Sequence, residues 1–169
     1  MTKQAAWRHG TLGMLSYSNL HDKFVHEGKR LQRLLDTGES DRCTLEYAAL
    51  NFFSTCWHLY HDWLKFDKPE RPRHASSKKR HSRERMAAVM NIVKAVAAGN
   101  THFVANDDDV GLAGGRSYVT IAPHPCFTLP SLVAILLAYI DWLLDEGEQA
   151  IKMPRAILAL LDEHTLMCA

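Results

Sequence analysis

The amino-acid sequence predicts an all-α domain, a four-helix bundle with a short fifth C-terminal helix. Apolar residues recur at intervals of three and four over four long stretches, which is the spacing of side chains that share one helix face. The alternating pattern of β-strands is limited to short pieces between residues 101 and 122. A length of 169 residues with 47% hydrophobic residues is typical of a single domain around one core. We therefore treat residues 1–169 as one helical domain.

The first two helices are predicted over about 18–35 and about 44–66. Gly38 follows the first helix where a C-terminal cap is expected, and Gly28 weakens its middle. The second helix carries two neighbouring apolar stripes, which predict a wide buried face. They consist of Leu45, Ala49, Phe52, Cys56, Leu59 and Trp63 in one stripe, and Leu50, Phe53, Trp57, Tyr60 and Leu64 in the other.

Residues 68–85, KPERPRHASSKKRHSRER, form a basic segment. It holds eight of the twenty Lys and Arg residues and two of the nineteen acidic residues, so the rest of the chain carries 12 minus 17, or −5. Two prolines and the lack of apolar periodicity predict a charged loop that leads into helix three. Ser82 is the expected N-cap of that helix, which ends at Gly99-Asn100.

A small β hairpin is predicted within 101–122, between helices three and four. One strand would span 117–121 and would pair with 101–105. Helix four is expected to begin after Thr128, because Leu129-Pro130 suits a first turn, and to end before Gly147. The fifth helix follows Pro154. The predicted core is led by Phe52, Phe53, Cys56, Leu59, Val93, Val96, Leu136, Ile140 and Leu143.

The cysteine pattern and the apolar runs indicate a cytoplasmic protein without a membrane partner. The four cysteines show no C-x-x-C spacing, and two of them lie in apolar helical patterns, as reduced core thiols do. The N-terminus lacks the apolar stretch of a secretory signal. The longest apolar run, 129–144, is interrupted by polar residues and is shorter than the roughly 20 residues that span a bilayer.

The candidate catalytic residues are His58, Asp62 and His102. His58 and Asp62 are four residues apart on the polar face of helix two, so Asp62 can orient or charge the imidazole. The same spacing arises on the solvated side of any amphipathic helix, and His61 is interpreted as a solvated neighbour. His102 follows the end of helix three, where it can also serve as a simple C-terminal cap partner.

A metal centre is the alternative use of these histidines. His58, His61 and Asp62 offer two or three ligands, which His102, or His21 with His26, would complete. Neighbouring helix residues point about 100° apart and seldom share one ion, and the chain contains no H-E-x-x-H motif. We therefore predict neither a metal nor another cofactor.

The basic segment supplies the candidate nucleic-acid contacts. Such a cluster attracts phosphate through counterion release, and it contains no aromatic residue to stack a base. RNA, an acidic protein, and no partner at all remain open as interpretations. The cations assigned to RNA are Lys78, Lys79, Arg80, Arg83 and Arg85.

Two stretches, CWHLYHDWLKFD at 56–67 and AAGNTHF at 97–103, resemble segments of small helical bacterial and phage-borne proteins without a settled function. More remotely, a helical bundle with polar residues on one helix face and a histidine after a later helix is similar to the HEPN group. Active members of that group are metal-independent ribonucleases, and their signature is an Arg followed by a His after four to six residues. That spacing is absent: Arg73 and His81, like Arg116 and His124, have seven residues between them.

The resemblance implies an RNA-directed protein, either a metal-independent ribonuclease or a catalytically inactive relative. In that interpretation His102, or His58 tuned by Asp62, is the general base for a ribose 2′-hydroxyl. A homodimer is expected. The alternatives are a non-enzymatic helical module for interaction or dimerisation and, third, a metal-binding bundle.

Overall fold

The structure is a computed structural model, and it describes residues 17–38, 41–63, 74–99, 103–105, 119–121, 124–145 and 151–167. Most of these residues are helical, and the chain is all-α in class, as the sequence predicts. The helices are α1 (Tyr17–Asp36), α2 (Arg42–Trp57), α3 (Ala75–Ser82), α4 (Ala87–Ala97), α5 (Leu129–Leu144) and α6 (Arg155–Met167). A π-helical segment, His58–Trp63, continues directly from α2.

The ends of several helices follow from local chemistry. Asp41 caps α2 by accepting hydrogen bonds from the backbone N–H groups of Cys43 and Thr44. Thr128 caps α5 in the same way by accepting from the N–H of Ser131, with a proline in the first turn. After α1, Gly38 adopts a φ of 67°, a left-handed conformation that glycine enters without a Cβ penalty. The ends at Gly38 and Thr128 match the capping signals in the sequence, whereas the cap at Asp41 was not predicted.

Helix α2 lies between α1 and α4, and α1 also contacts α5. Phe24 of α1 stacks on Phe52 of α2 with ring centroids 5.0 Å apart, and Phe53 meets Phe52 edge to face. Helix α5 is buried over most of its length and also contacts α3 and α6. Every residue of the predicted core is at most 1% exposed.

Gly28 has a packing role that the sequence pattern does not predict. A Cβ at this position would lie 2.7 Å from the side chain of Leu137 and 2.9 Å from that of Phe52. The absent side chain therefore allows α1 to approach α2 and α5 closely. Glycine lowers the helix propensity of α1, and the structure gains this close contact in return.

Three short strands lie between α4 and α5 in the chain: β1 (Phe103–Ala105), β2 (Val119–Ile121) and β3 (His124–Thr128). They form one antiparallel sheet in the order β1-β2-β3. Phe103 pairs with Ile121 and Thr120 pairs with Thr128, with an irregularity between Thr120 and Ile121. Strand β3 was not predicted, and it leads straight into α5.

Part of the basic segment is helical, contrary to the prediction. The sequence predicts a loop from residue 68 that leads into helix three at Ser82, but residues 75–82 form helix α3, and α4 begins only at Ala87. Ser82 is therefore not the N-cap of helix three. It is 2% exposed, and its hydroxyl donates to the Lys78 carbonyl oxygen, 2.8 Å away. The buried face of α3 consists of Ala75, Lys78 and Ser82, spaced three and four apart.

Candidate functional site

The candidate site is the π-helical segment at the end of α2. In a π-helix the backbone hydrogen bonds run from i to i+5, so each turn is wider than an α-helical turn, and such segments occur frequently at functional sites. Leu59 and Tyr60 are its buried residues. His58, His61 and Asp62 are on the more accessible part of the segment, with side chains 63%, 39% and 45% exposed. The segment therefore presents its ionisable groups to solvent while its apolar residues anchor it.

One carboxylate joins both histidines. The Nδ1 of His58 lies 2.6 Å from Asp62 Oδ2, and the Nδ1 of His61 lies 2.9 Å from Asp62 Oδ1. The expected proximity of His58 and Asp62 is thus present. His61, interpreted as a solvated neighbour, has a side chain that is 39% exposed, and its ring also contacts the same carboxylate. We refer to His58, Asp62 and His61 as the His-Asp-His cluster.

The ring of His61 is held from a second direction. It stacks on the indole of Trp57, with ring centroids 4.7 Å apart and an angle of 14° between the planes. The sequence places Trp57 and Trp63 in the apolar stripes of helix two. In the structure both are only partly buried and pack against the hydrophobic core. Stacking and the bond to Asp62 together restrict the orientation of the His61 ring.

The cluster favours the ionised form of its carboxylate. Partial burial acts to raise the pKa of Asp62, but the hydrogen bonds and positive potential of His58 and His61 outweigh it, and the pKa lies below its usual value. An ionised carboxylate only accepts hydrogen bonds, so both histidines donate from Nδ1. Each therefore presents Nε2 away from Asp62, as the proton-transfer atom of the ring.

His102, the third predicted catalytic residue, lies outside the described residues. Among the described residues, no three His, Cys, Asp or Glu side chains are placed to hold one metal ion. His21 is half-buried and His26 is exposed, both on α1.

The five cations assigned to RNA fall into two groups, two lysines that donate to backbone carbonyl oxygens and three exposed arginines. Lys78 is 1% exposed, and its Nζ donates to the carbonyl oxygens of Trp142 and Asp145 at 2.8 and 2.9 Å. Its ammonium lies 5.5 Å from the centre of a Trp142 ring. Lys78 therefore satisfies carbonyl groups at the C-terminal end of α5, where a cation is favoured by the helix dipole. This ammonium is not accessible to a phosphate.

Lys79 connects α3 to the π-helical segment. Its Nζ donates to the Tyr60 carbonyl oxygen at 2.7 Å and lies 3.9 Å from the centre of the Tyr60 ring. The three arginines, Arg80, Arg83 and Arg85, are exposed. The contact of Lys79 thus fixes the helix that carries exposed cations beside the segment that carries the His-Asp-His cluster.

A buried hydroxyl network lies behind this contact. The hydroxyls of Ser82 and Tyr139 are 2.8 Å apart, and Tyr139 also hydrogen-bonds with Tyr60. Burial raises the pKa of Tyr139 far above its usual value and raises that of Tyr60 as well, although the nearby charge of Arg83 opposes the shift at Tyr60. Burial likewise raises the pKa of the Cys56 thiol well above its usual range, which disfavours the nucleophilic thiolate form.

No family model, no curated protein and no solved structure matches this chain. Within the described residues, no helix combines the length and the apolar character that crossing a membrane requires.

Proposed function

We propose that this protein is an RNA-directed, metal-independent ribonuclease of the HEPN-like kind, with the His-Asp-His cluster as its catalytic centre. The observation that carries the proposal is the 2.6 Å bond between His58 Nδ1 and Asp62 Oδ2. This bond orients the His58 ring so that its neutral form has Nε2 as the acceptor, which is what removal of a proton from a ribose 2′-hydroxyl requires. Asp62 then stabilises the imidazolium that forms.

The exposed arginines support RNA as the substrate class. Arg80, Arg83 and Arg85 are on or directly after α3, and Lys79 joins that helix to the catalytic segment. A polyanion bound along these arginines would have its phosphates close to the segment that carries His58. Phosphate contacts of this kind position a nucleic acid without reading its sequence.

The scaffold that we propose is a four-helix bundle of α1, α2, α4 and α5, with α6 as the short fifth helix. Strands β1 and β2 would be the two arms of the inserted hairpin. The helix contacts of α2 with α1 and α4, and of α1 with α5, support this arrangement. The free thiols of Cys43 and Cys56 support a cytoplasmic location.

Cleavage of a labelled single-stranded RNA in the presence of EDTA tests the function. We expect the wild-type protein to cleave and His58→Ala to lose activity by about 100-fold or more, the usual contribution of a general base. Asp62→Asn should also reduce cleavage. His26→Ala, a change to an exposed histidine on α1, is the matched control. An intact RNA after prolonged incubation with the wild-type protein would remove the enzymatic function.

A non-enzymatic interaction module that dimerises is the second candidate. Tyr47 and Leu50 favour it, because these large hydrophobic side chains are 69% and 39% exposed and lie one turn apart on α2. Light scattering over a range of protein concentrations tests this candidate. Dimer formation that Leu50→Glu abolishes would favour it, whereas a monomeric wild-type protein at high concentration would argue against it.

A further inference from the structure

We propose that His61 is the general acid of the reaction and that His58 and His61 work as a pair on one phosphodiester. This inference rests on the proposed function and deepens it. His58 would take the proton of the attacking hydroxyl, and His61 would protonate the leaving oxygen. Asp62 serves both rings, because each of its oxygens accepts from one Nδ1 at 2.6 or 2.9 Å.

The reaction step balances within the cluster. The ribose 2′-oxygen attacks phosphorus while its proton passes to His58 Nε2. The bond between phosphorus and the 5′-oxygen breaks, and that oxygen receives the Nε2 proton of His61. The products are a 2′,3′-cyclic phosphate and a free 5′-hydroxyl, and proton exchange with water then restores both histidines. One proton enters the cluster as another leaves it.

The shared carboxylate suits this exchange. Before the step, Asp62 faces one imidazolium at His61, and after the step it faces one imidazolium at His58. The net charge of the cluster is therefore the same on both sides of the transition state. Each charge-assisted bond is made to an oxygen that is already in place, so little reorganisation is needed.

The roles follow from how the two rings are held. His58 makes the shorter bond to Asp62 and has the more exposed side chain, so its Nε2 is the more accessible to an incoming ribose. His61 has a second constraint, the stacking contact with Trp57 at 4.7 Å. A ring held in a fixed orientation is suited to delivering a proton to one defined oxygen.

A comparison of two leaving groups tests the inference. A 5′-linked nucleoside is a poor leaving group that needs an acid, whereas p-nitrophenolate leaves without protonation. We would measure cleavage of a dinucleotide and of uridine 3′-(p-nitrophenyl phosphate) by wild-type, His61→Ala and His58→Ala proteins. For His61→Ala we expect a loss of about 100-fold or more on the dinucleotide and a much smaller loss on the activated ester. His58→Ala should lose activity on both substrates.

Rescue provides the second measurement. Added imidazole should restore dinucleotide cleavage by His61→Ala, and circular dichroism should show that this variant remains folded. Equal losses on both substrates, or an unimpaired His61→Ala protein, would overturn the acid role while the ribonuclease function stands. A wild-type protein that cleaves neither substrate would instead remove the ribonuclease function, and the acid role with it.

Discussion

Asp62 accepts hydrogen bonds from the histidines at positions 58 and 61, one at each carboxylate oxygen. Sequence spacing places positions 58 and 62 on one helix face, and that part of the site is local. Three buried polar residues, Thr55, Lys78 and Ser82, have partners in distant parts of the chain or in a neighbouring turn. At the scale of single residues, the environment of each polar side chain therefore depends on the partner with which it forms a hydrogen bond.

The carboxylate of Asp62 should stabilise the folded protein in a pH-dependent manner. Its pKa in the folded state is below the ordinary value of 3.8, so the folded state binds this proton more weakly than the unfolded state does. The stabilisation is therefore present above about pH 4 and is lost as the pH falls through the lowered value. Urea unfolding should show Asp62→Asn less stable than wild type at pH 7, with a difference that shrinks as the pH falls below 3.8.

Asp22→Asn, which removes an exposed carboxylate from α1, is the control for the loss of one negative charge. A difference between Asp62→Asn and wild type that stays constant from pH 7 to below pH 3 would contradict this role of the cluster.

Lys78 should contribute to stability rather than to RNA binding. Lys78→Met keeps the apolar length of the side chain but leaves the carbonyl oxygens of Trp142 and Asp145 without its ammonium. We expect a decrease of about 2 kcal/mol in the free energy of unfolding, measured with urea, because unsatisfied buried acceptors are costly. Arg80→Met, on the exposed face of the same helix, should change it by no more than about 0.5 kcal/mol. Equal effects of the two changes would refute the capping role.

At the scale of elements, the apolar periodicity predicts where helices occur but not how closely they pack. Gly28 illustrates the difference. The low helix propensity of glycine suggests a weak point in α1, yet the lack of a side chain leaves room for the side chains of Phe52 and Leu137. Helix α3 illustrates the same difference, because Ala75, Lys78 and Ser82 form a buried face that contains little apolar surface.

Gly28→Ala should destabilise the protein although alanine is the better helix former. Propensity favours the change by about 1 kcal/mol, but the new methyl group would lie too close to Phe52, which is fully buried. Overpacking of this kind costs about 1–3 kcal/mol. We expect a net loss of about 1 kcal/mol in the free energy of unfolding, measured by urea denaturation.

A double variant separates packing from propensity. Leu137→Ala should be less harmful in the Gly28→Ala protein than in the wild type, because it removes the side chain that lies 2.7 Å from the new Cβ. Lys29→Ala, an exposed change in the same helix, is the control. A Gly28→Ala protein more stable than wild type would show that α1 adjusts its position freely.

At the scale of the whole molecule, cations are divided between internal and external roles. The sequence places eight Lys and Arg residues in one segment, and the fold uses two of them, Lys78 and Lys79, for contacts with α5 and the π-helical segment. The exposed arginines of this segment remain accessible to a polyanion. The number of Lys and Arg residues in the segment therefore overstates the positive charge that is available for binding.

RNA affinity should depend steeply on salt, and the arginines should account for much of that dependence. Replacing all three with glutamine is expected to reduce the slope of log affinity against log salt concentration by about 2, since each phosphate contact on a single strand contributes about 0.7. Fluorescence anisotropy with a labelled single-stranded RNA measures this slope. The residues to be replaced are Arg80, Arg83 and Arg85.

A triple glutamine variant on α1, which also removes three exposed cations, is the matched control. It should leave the slope unchanged, because net charge alone has a weaker effect than direct contacts. Its residues are Lys29, Arg30 and Arg33. Equal reductions by the two triple variants would indicate non-specific attraction rather than a defined RNA surface.

The sequence by itself determined the all-α class, the helix ends at Gly38 and Thr128, the buried core, and the proximity of His58 to Asp62. Each of these follows from spacing within one helix or from a signal at its end. The tertiary structure decided the rest: that Lys78 and Ser82 are buried, that residues 75–82 of the predicted basic loop are helical, and that His61 joins the cluster. The partners of Lys78 and Ser82 on α5 lie more than fifty residues away in the chain. A polar side chain is buried only where a hydrogen-bond partner is available. The spacing of residues along one helix does not show which distant part of the chain supplies that partner.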